Sequence, residues 1–172
     1  MIKILFILIL SLSAIADTFI VQSNSSKINF SVNKFLFISV DGVFTKFKGK
    51  IIIDNNMITA ITGTVDAKSI NTDNEKRDKD LRGEEYFNTL AHQYINFKAI
   101  QINDKELEAT ITIKGITQKV RFTIDAIEST GTKLTLKISS TVDRQDFMLN
   151  GPLSSMVSDD VKVSATLMAY VQ

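Results

Sequence analysis

The chain has 172 residues, 44% of them hydrophobic, with 20 Lys and Arg against 19 Asp and Glu and no cysteine. That length suits one domain with a proper core, and the absent cysteines exclude a disulfide framework and a lipid-modified N-terminus. The even charge provides neither the basic stripe that nucleic acid demands nor a polybasic membrane-surface patch.

Met1-Ile2-Lys3 opens the chain, an apolar run follows from Ile4 to Leu12, and Ala14-Ile15-Ala16 precedes Asp17. One early positive charge, a short apolar core and an A-x-A site predict a secretory signal peptide, residues 1–16, cleaved after Ala16. The run is too short to cross a hydrocarbon core, which needs roughly 20 apolar residues. No second such stretch follows, so an exported chain without a stable membrane anchor is expected, in a single domain over 17–172. Lys3 leaves with the signal, which makes the charges even.

Strands are predicted over 18–22, 26–33, 38–47, 49–54, 57–66, 94–103, 106–114, 119–128, 133–143 and 160–171. Their apolar residues alternate with charged or hydroxylated ones, as in Val120-Phe122-Ile124-Ala126 against Lys119-Arg121-Thr123-Asp125. Successive side chains leave a strand on opposite faces, so each segment has one apolar wall and one polar wall. Asp54-Asn55-Asn56, Asn103-Asp104-Lys105, Lys114-Gly115 and Ser129-Thr130-Gly131 supply the turn chemistry of tight reversals. Hairpin-linked strands make an up-and-down antiparallel sheet, and closing it removes the sticky edges of such long strands. A mainly β fold, a closed barrel with one inserted short α-helix, is therefore favoured over a sandwich.

Thr72-Asp73-Asn74-Glu75 reads as a capping box that starts the helix, and Gly83 ends it. Asp78 and Arg82 are spaced to pair. Leu81 is its one strongly apolar residue, so Tyr86, Phe87 and Leu90 are the expected anchors. Such a helix is either a plug or lid over a barrel end or a solvated crossover. The irregular piece 145–159 carries Phe147, Met148, Gly151, Pro152 and Met156, a composition suited to covering a mouth.

Chemistry-bearing constellations are sparse. His92 is the only histidine, so nucleophilic or zinc chemistry has almost nothing to work with. Asp78-x-Asp80 fails as a calcium loop because Arg82 and Thr89 replace the oxygen ligands expected there. Gly42 and Gly49-Lys50 are wrongly spaced for a phosphate loop.

Arg77-Asp78-Lys79-Asp80-Leu81-Arg82, then Glu85-Tyr86-Phe87 and Tyr94-Ile95-Asn96-Phe97, resemble the signature of YceI-like proteins. Ser26 to Val32, Gly42-Val43-Phe44, Phe47-Lys48-Gly49, Ala67 to Thr72, Ile111 to Val120, Asp143 to Phe147 and Val157 to Val161 fall in that family's order. Two positions depart from it: Lys79-Asp80 stands where a small residue and His are common, and Met148 where Gly is usual. The resemblance implies an exported lipocalin-like barrel, a homodimer in many members, and no catalytic activity or catalytic cofactor. It implies a bound isoprenoid, such as a quinone or polyprenyl lipid, in an elongated apolar channel; a fatty acid or fatty amide fits equally.

The inward-facing candidates for that channel are Phe30, Val32, Phe37, Phe44, Phe47, Leu81, Phe87, Phe97, Ile111, Ile113, Phe122, Ile124, Leu136, Ile138, Phe147 and Met148. Arg77, Asp78, Arg144 and Asp146 are candidate polar groups at its mouth. Alternation alone does not say which wall is inside, so a small outer-membrane barrel stays open, as does an enzyme using the barrel mouth. Missing aromatic girdles weigh against the former.

Overall fold

Period-two alternation becomes one antiparallel sheet that closes on itself. The computed structural model describes residues 16–35, 37–152 and 154–172. The predicted signal peptide therefore lies outside the described residues, apart from Ala16. The first strands are β1 (Asp17–Val21), β2 (Lys27–Lys34), β3 (Ile38–Phe44), β4 (Phe47–Asp54), β5 (Met57–Asp66) and the two-residue β6 (Ile70–Asn71). After helix α1 (Glu75–Arg82) come β7 (Tyr94–Ile102), β8 (Glu106–Ile113), β9 (Ile116–Ser129), β10 (Lys133–Asp143) and β11 (Val157–Val171).

Going round the barrel, β1, β4, β5, β7, β8, β9, β10 and β11 are neighbours, and β11 pairs back to β1 to complete an eight-stranded ring. β11 is long enough to serve two partners on one side. Its last residues face β1, with Phe19 opposite Val171, while Val161 to Thr166 face β2. From β2 the sheet runs on to β3 and the short β6. One end of the barrel is thus closed by β1, and the other is walled by β2, β3 and β6.

The predicted turns form as their chemistry requires. Asn55 and Asn56 both take positive φ, 50° and 63°, as do Lys114 and Gly115 at 53° and 79°. The Asn103 side chain accepts from the amides of Lys105 and Glu106 at 2.9 and 2.8 Å. β6 was not foreseen, and β11 starts three residues before the predicted strand. There, Val157 still pairs with Lys34, and a bulge before Val161 absorbs the extra residues.

The helix forms as expected, but its cap differs. Asn74, not Thr72, is the N-cap, and its side chain accepts from the Arg77 amide at 2.9 Å. Thr72 turns instead to the buried Asp78. Its amide and hydroxyl both donate to Asp78 Oδ1, at 2.9 and 2.6 Å. Arg82 donates to the carbonyls of Lys68 and Ile70 at 2.9 and 2.7 Å, tying the end of α1 to β6, and it meets Asp78 only loosely at 4.0 Å. Of the expected anchors, Phe87 stacks edge-on against Phe44 at 5.8 Å, whereas Leu90 is 98% exposed and anchors nothing.

Burial settles which wall is inside. Phe122 and Ile124 are buried while Lys119, Arg121, Thr123 and Asp125 of the same strand face water. This is the reverse of an outer-membrane barrel, whose apolar wall meets lipid. Phe19, Ile51, Leu107, Leu134, Leu136 and Ala169 are almost completely buried and belong to a single packed core. They come from β1, the middle of β4, the start of β8 and β10, and the end of β11, which together make the β1-closed end of the barrel.

Candidate functional site

Towards the other end the barrel is hollow. A cavity of about 550 Å³ is lined by Phe30, Val32, Phe44, Phe47, Phe97, Ile111, Ile113, Phe122 and Ile138 from the strands. Leu81 on α1, Phe87 after it, and Phe147 in the 3-10 turn Arg144–Phe147 complete its apolar wall. The volume is that of an ordinary small-molecule site, and most of the wall surface is apolar.

Aromatic contacts hold the wall in shape. Phe30 and Phe44 lie 5.7 Å apart, Phe44 meets Phe87, and Phe97 meets Phe122 at 5.6 Å in a near-perpendicular pair. Two glycines open the lumen. Gly49 on β4 is directly opposite Gly63 on β5, and both line the cavity where other strands present a side chain. Gly49 gives room to Val21, whose Cγ2 lies 2.8 Å from where a β-carbon would be. At Gly63 a β-carbon would meet only ordinary contacts, at 3.4 Å or more.

Charged groups line the cavity at Lys34, Lys48, Lys76, Arg77, Asp80 and Arg144. Arg77 is partly committed: its guanidinium donates to the Thr72 hydroxyl and carbonyl at 2.8 and 2.7 Å. Arg144 is buried and fully engaged. It donates to the carbonyls of Ser158, Leu149, Ser154 and Val157, to Asn150 Oδ1 and to Asp159 Oδ1, the last at 2.8 Å. It holds together the segment between β10 and β11 and has no donor to spare for a headgroup. Tyr86, which also lines the cavity, has its phenol pKa pushed above the usual value by burial, with the Arg144 charge pulling the other way.

Six further expectations need correction. Phe37, 91% exposed, and Met148, 64% exposed, do not line the cavity. The first is at the tip of the β2–β3 hairpin, and the second takes a left-handed conformation that ends the 3-10 turn. Ile124 and Leu136 face inward but belong to the packed end, below the hollow. Asp78 is a structural acceptor for Thr72, as described above. Asp146 brings the corrections to seven in all with Arg144: its side chain is exposed, and its carbonyl accepts from Gln118 Nε2 at 2.9 Å.

Several lining residues escaped the sequence reading. Ile28, Val161, Val163, Ala165 and Leu167 lie on apolar walls that the alternation had already marked. Gly49, Gly63, Lys34, Lys76 and Tyr86 carry no such signal. His92 is not part of the lining, and its imidazole sits beside Gly115. Among the described residues no group of three or more His, Cys, Asp or Glu is placed to hold a metal ion.

Fold and site together define a closed antiparallel β-barrel protein with an internal apolar cavity walled in part by a helix. Residues 19–169 match the YceI-like domain, and the chain belongs to the YceI-like family. It is 29% identical over 133 residues to a UPF0312 protein of Staphylococcus epidermidis, a match covering 73% of this chain and 78% of that one. Among solved structures, BcnA of Burkholderia cenocepacia superposes with a TM-score of 0.77 at 19% identity, over 86% of this chain and 98% of that one. A polyisoprenoid-binding domain from Saccharophagus degradans, described as implicated in plant cell wall breakdown, gives 0.71 at 14% identity, over 93% and 100%.

Proposed function

We propose that the protein binds a long isoprenoid or fatty-acyl lipid in the barrel cavity and carries or sequesters it in the periplasm. The observation that carries this reading is the hollow of about 550 Å³ inside an otherwise tightly packed barrel, walled by Phe, Ile, Leu and Val. A protein interior normally closes such a void, because an empty one forfeits the packing of its lining. Burying ~400 Å² of lipid tail at ~25 cal/mol/Å² contributes on the order of 10 kcal/mol before association costs. That is ample for capture with little discrimination between tails, which leaves headgroup choice to polar groups such as Lys76, Arg77 and Asp80.

The polyisoprenoid-binding description of the Saccharophagus domain supports the isoprenoid among these lipids. The role needs no reaction, so the protein is proposed as a binding protein and not an enzyme. Export rests on the N-terminal signal; N-terminal sequencing of the mature protein should begin at Asp17. Self-association into the implied homodimer is checked by sedimentation equilibrium.

Mass spectrometry of an organic extract from natively purified protein tests the central claim. One bound isoprenoid or acyl lipid per chain is expected. Phe122→Asp, which puts a carboxylate into the Phe97–Phe122 contact, should lose the lipid or the fold. A lipid-free extract, together with no uptake of added polyprenol or fatty acid by the folded wild type, would end the proposal.

A further inference from the structure

The tip of the β2–β3 hairpin carries apolar side chains that face water. Phe37 is 91% exposed, Ile38 56% and Phe35 51%, and Met156 nearby is 43% exposed. The patch is one unit, because the Phe35 amide donates to the Met156 carbonyl at 2.9 Å. It is also continuous with the cavity. Lys34 and Val40 on the same hairpin, and Ser154 and Val157 on either side of Met156, all line the hollow. Lys34 Nζ stands 5.1 Å from the centre of the Phe35 ring, so a positive charge flanks the aromatic tip.

We propose that Phe35, Phe37 and Ile38 form a membrane-docking tip that inserts into a lipid surface and sets the cavity mouth against it. This rests on the lipid-binding reading above, and it names how the ligand would enter and leave. A long apolar tail crossing water would expose most of its surface, and seating the mouth on a bilayer avoids that exposure. Aromatic side chains on a projecting turn enter the boundary between headgroups and acyl chains, while a lysine beside them keeps its ammonium at phosphate level. A narrow projecting hairpin suits a fluid surface better than a second copy of the chain, since a stable dimer buries on the order of 800 Å² per partner over a broad face. One lysine and three apolar side chains give reversible contact, not anchoring, as a carrier requires.

Sedimentation with vesicles of phosphatidylethanolamine and phosphatidylglycerol tests the idea. The wild type and Phe37→Leu should bind, and Phe37→Glu should bind ~10-fold less or worse, since it exchanges an aromatic that would enter the bilayer for a charge. Phe37→Glu should still hold its lipid in the extract, because Phe37 does not line the cavity. The chain has no tryptophan, so Phe37→Trp is a clean reporter. Its emission should shift to the blue on adding vesicles, and that of Ile127→Trp, on β9, should not. Unchanged vesicle binding by Phe37→Glu, no binding by the wild type, or a dimer that Phe37→Glu dissolves would each overturn the proposal. An empty cavity with Phe37-dependent vesicle binding would instead remove the carrier reading and leave the docking tip standing.

Discussion

The tip of the Phe30 ring occupies the space where a β-carbon on Gly42 would lie. The two residues are opposite each other on β2 and β3, and Cζ, Cε1 and Cε2 of the ring all fall inside normal contact distance of that position. Phe30 also lines the cavity and stacks on Phe44. Gly42→Ala must therefore displace the ring, a forced overpacking that costs about 1–3 kcal/mol. The urea midpoint should fall accordingly, and lipid uptake should weaken with it as the Phe30–Phe44–Phe87 contacts shift. A midpoint equal to that of the wild type would show that the ring moves aside without strain.

Gly63 offers the opposite experiment, because a side chain there has room. Its backbone is not among the positive-φ positions, and a β-carbon would meet the Lys48 carbonyl at 3.4 Å and Phe97 Cβ at 3.9 Å. Gly63→Leu should project into the lumen that Gly63 leaves open. Excluding ~60 Å² of tail contact at ~25 cal/mol/Å² is worth about 1.5 kcal/mol, so affinity for an added polyprenol should fall roughly ten-fold. The urea midpoint should hold or rise. Unaltered affinity in a folded Gly63→Leu would place the ligand elsewhere.

Strands were legible because alternation is a local signal, written in full by runs such as Lys119 to Ala126. The limit of the cavity was not. Ile124 and Ile138 face each other across β9 and β10, and both are buried apolar residues. Yet Ile138 lines the hollow and Ile124 does not. Whether an inward residue meets a ligand or a neighbour depends on its height in the barrel, which strand periodicity does not encode. The helix cap shows the same limit: Thr72 and Asn74 are both good capping residues, and the contact with the buried Asp78 decides between them. Arg144 was misread because its partners are mostly backbone carbonyls, and a carbonyl's position has no signature in residue type.

Arg144 should be the most costly polar residue to replace in the segment between β10 and β11. Arg144→Met leaves the Asp159 carboxylate without its cation and strands several carbonyls that the guanidinium now satisfies. Asp159 is exposed and regains water, so the loss comes from the buried carbonyls left without a donor, about 1–3 kcal/mol each. Arg144→Lys should recover little, since one ammonium does not span acceptors on both sides of the planar fork. Urea unfolding measures the loss, and limited proteolysis between Phe147 and Val157 should become faster. Full stability in Arg144→Met would mean the segment is held by its own backbone bonds.

Tyr86 packs against Gly151, where any β-carbon would collide with the phenol ring and hydroxyl. Burial raises its pKa from the usual 10.0, Arg144 opposes the shift, and Glu85 and Asp80 add to it. The folded chain therefore resists losing this proton, while the unfolded chain gives it up near the usual value. The stabilisation is intact below about pH 10 and disappears as pH rises through the higher folded-state value. Tyr86→Phe abolishes the titration and keeps the ring. Its stability should match the wild type closely at neutral pH and fall less steeply on the alkaline side, in urea midpoints taken across that range. Parallel alkaline losses in the two proteins would show that Tyr86 ionises in place as freely as it does in the unfolded chain.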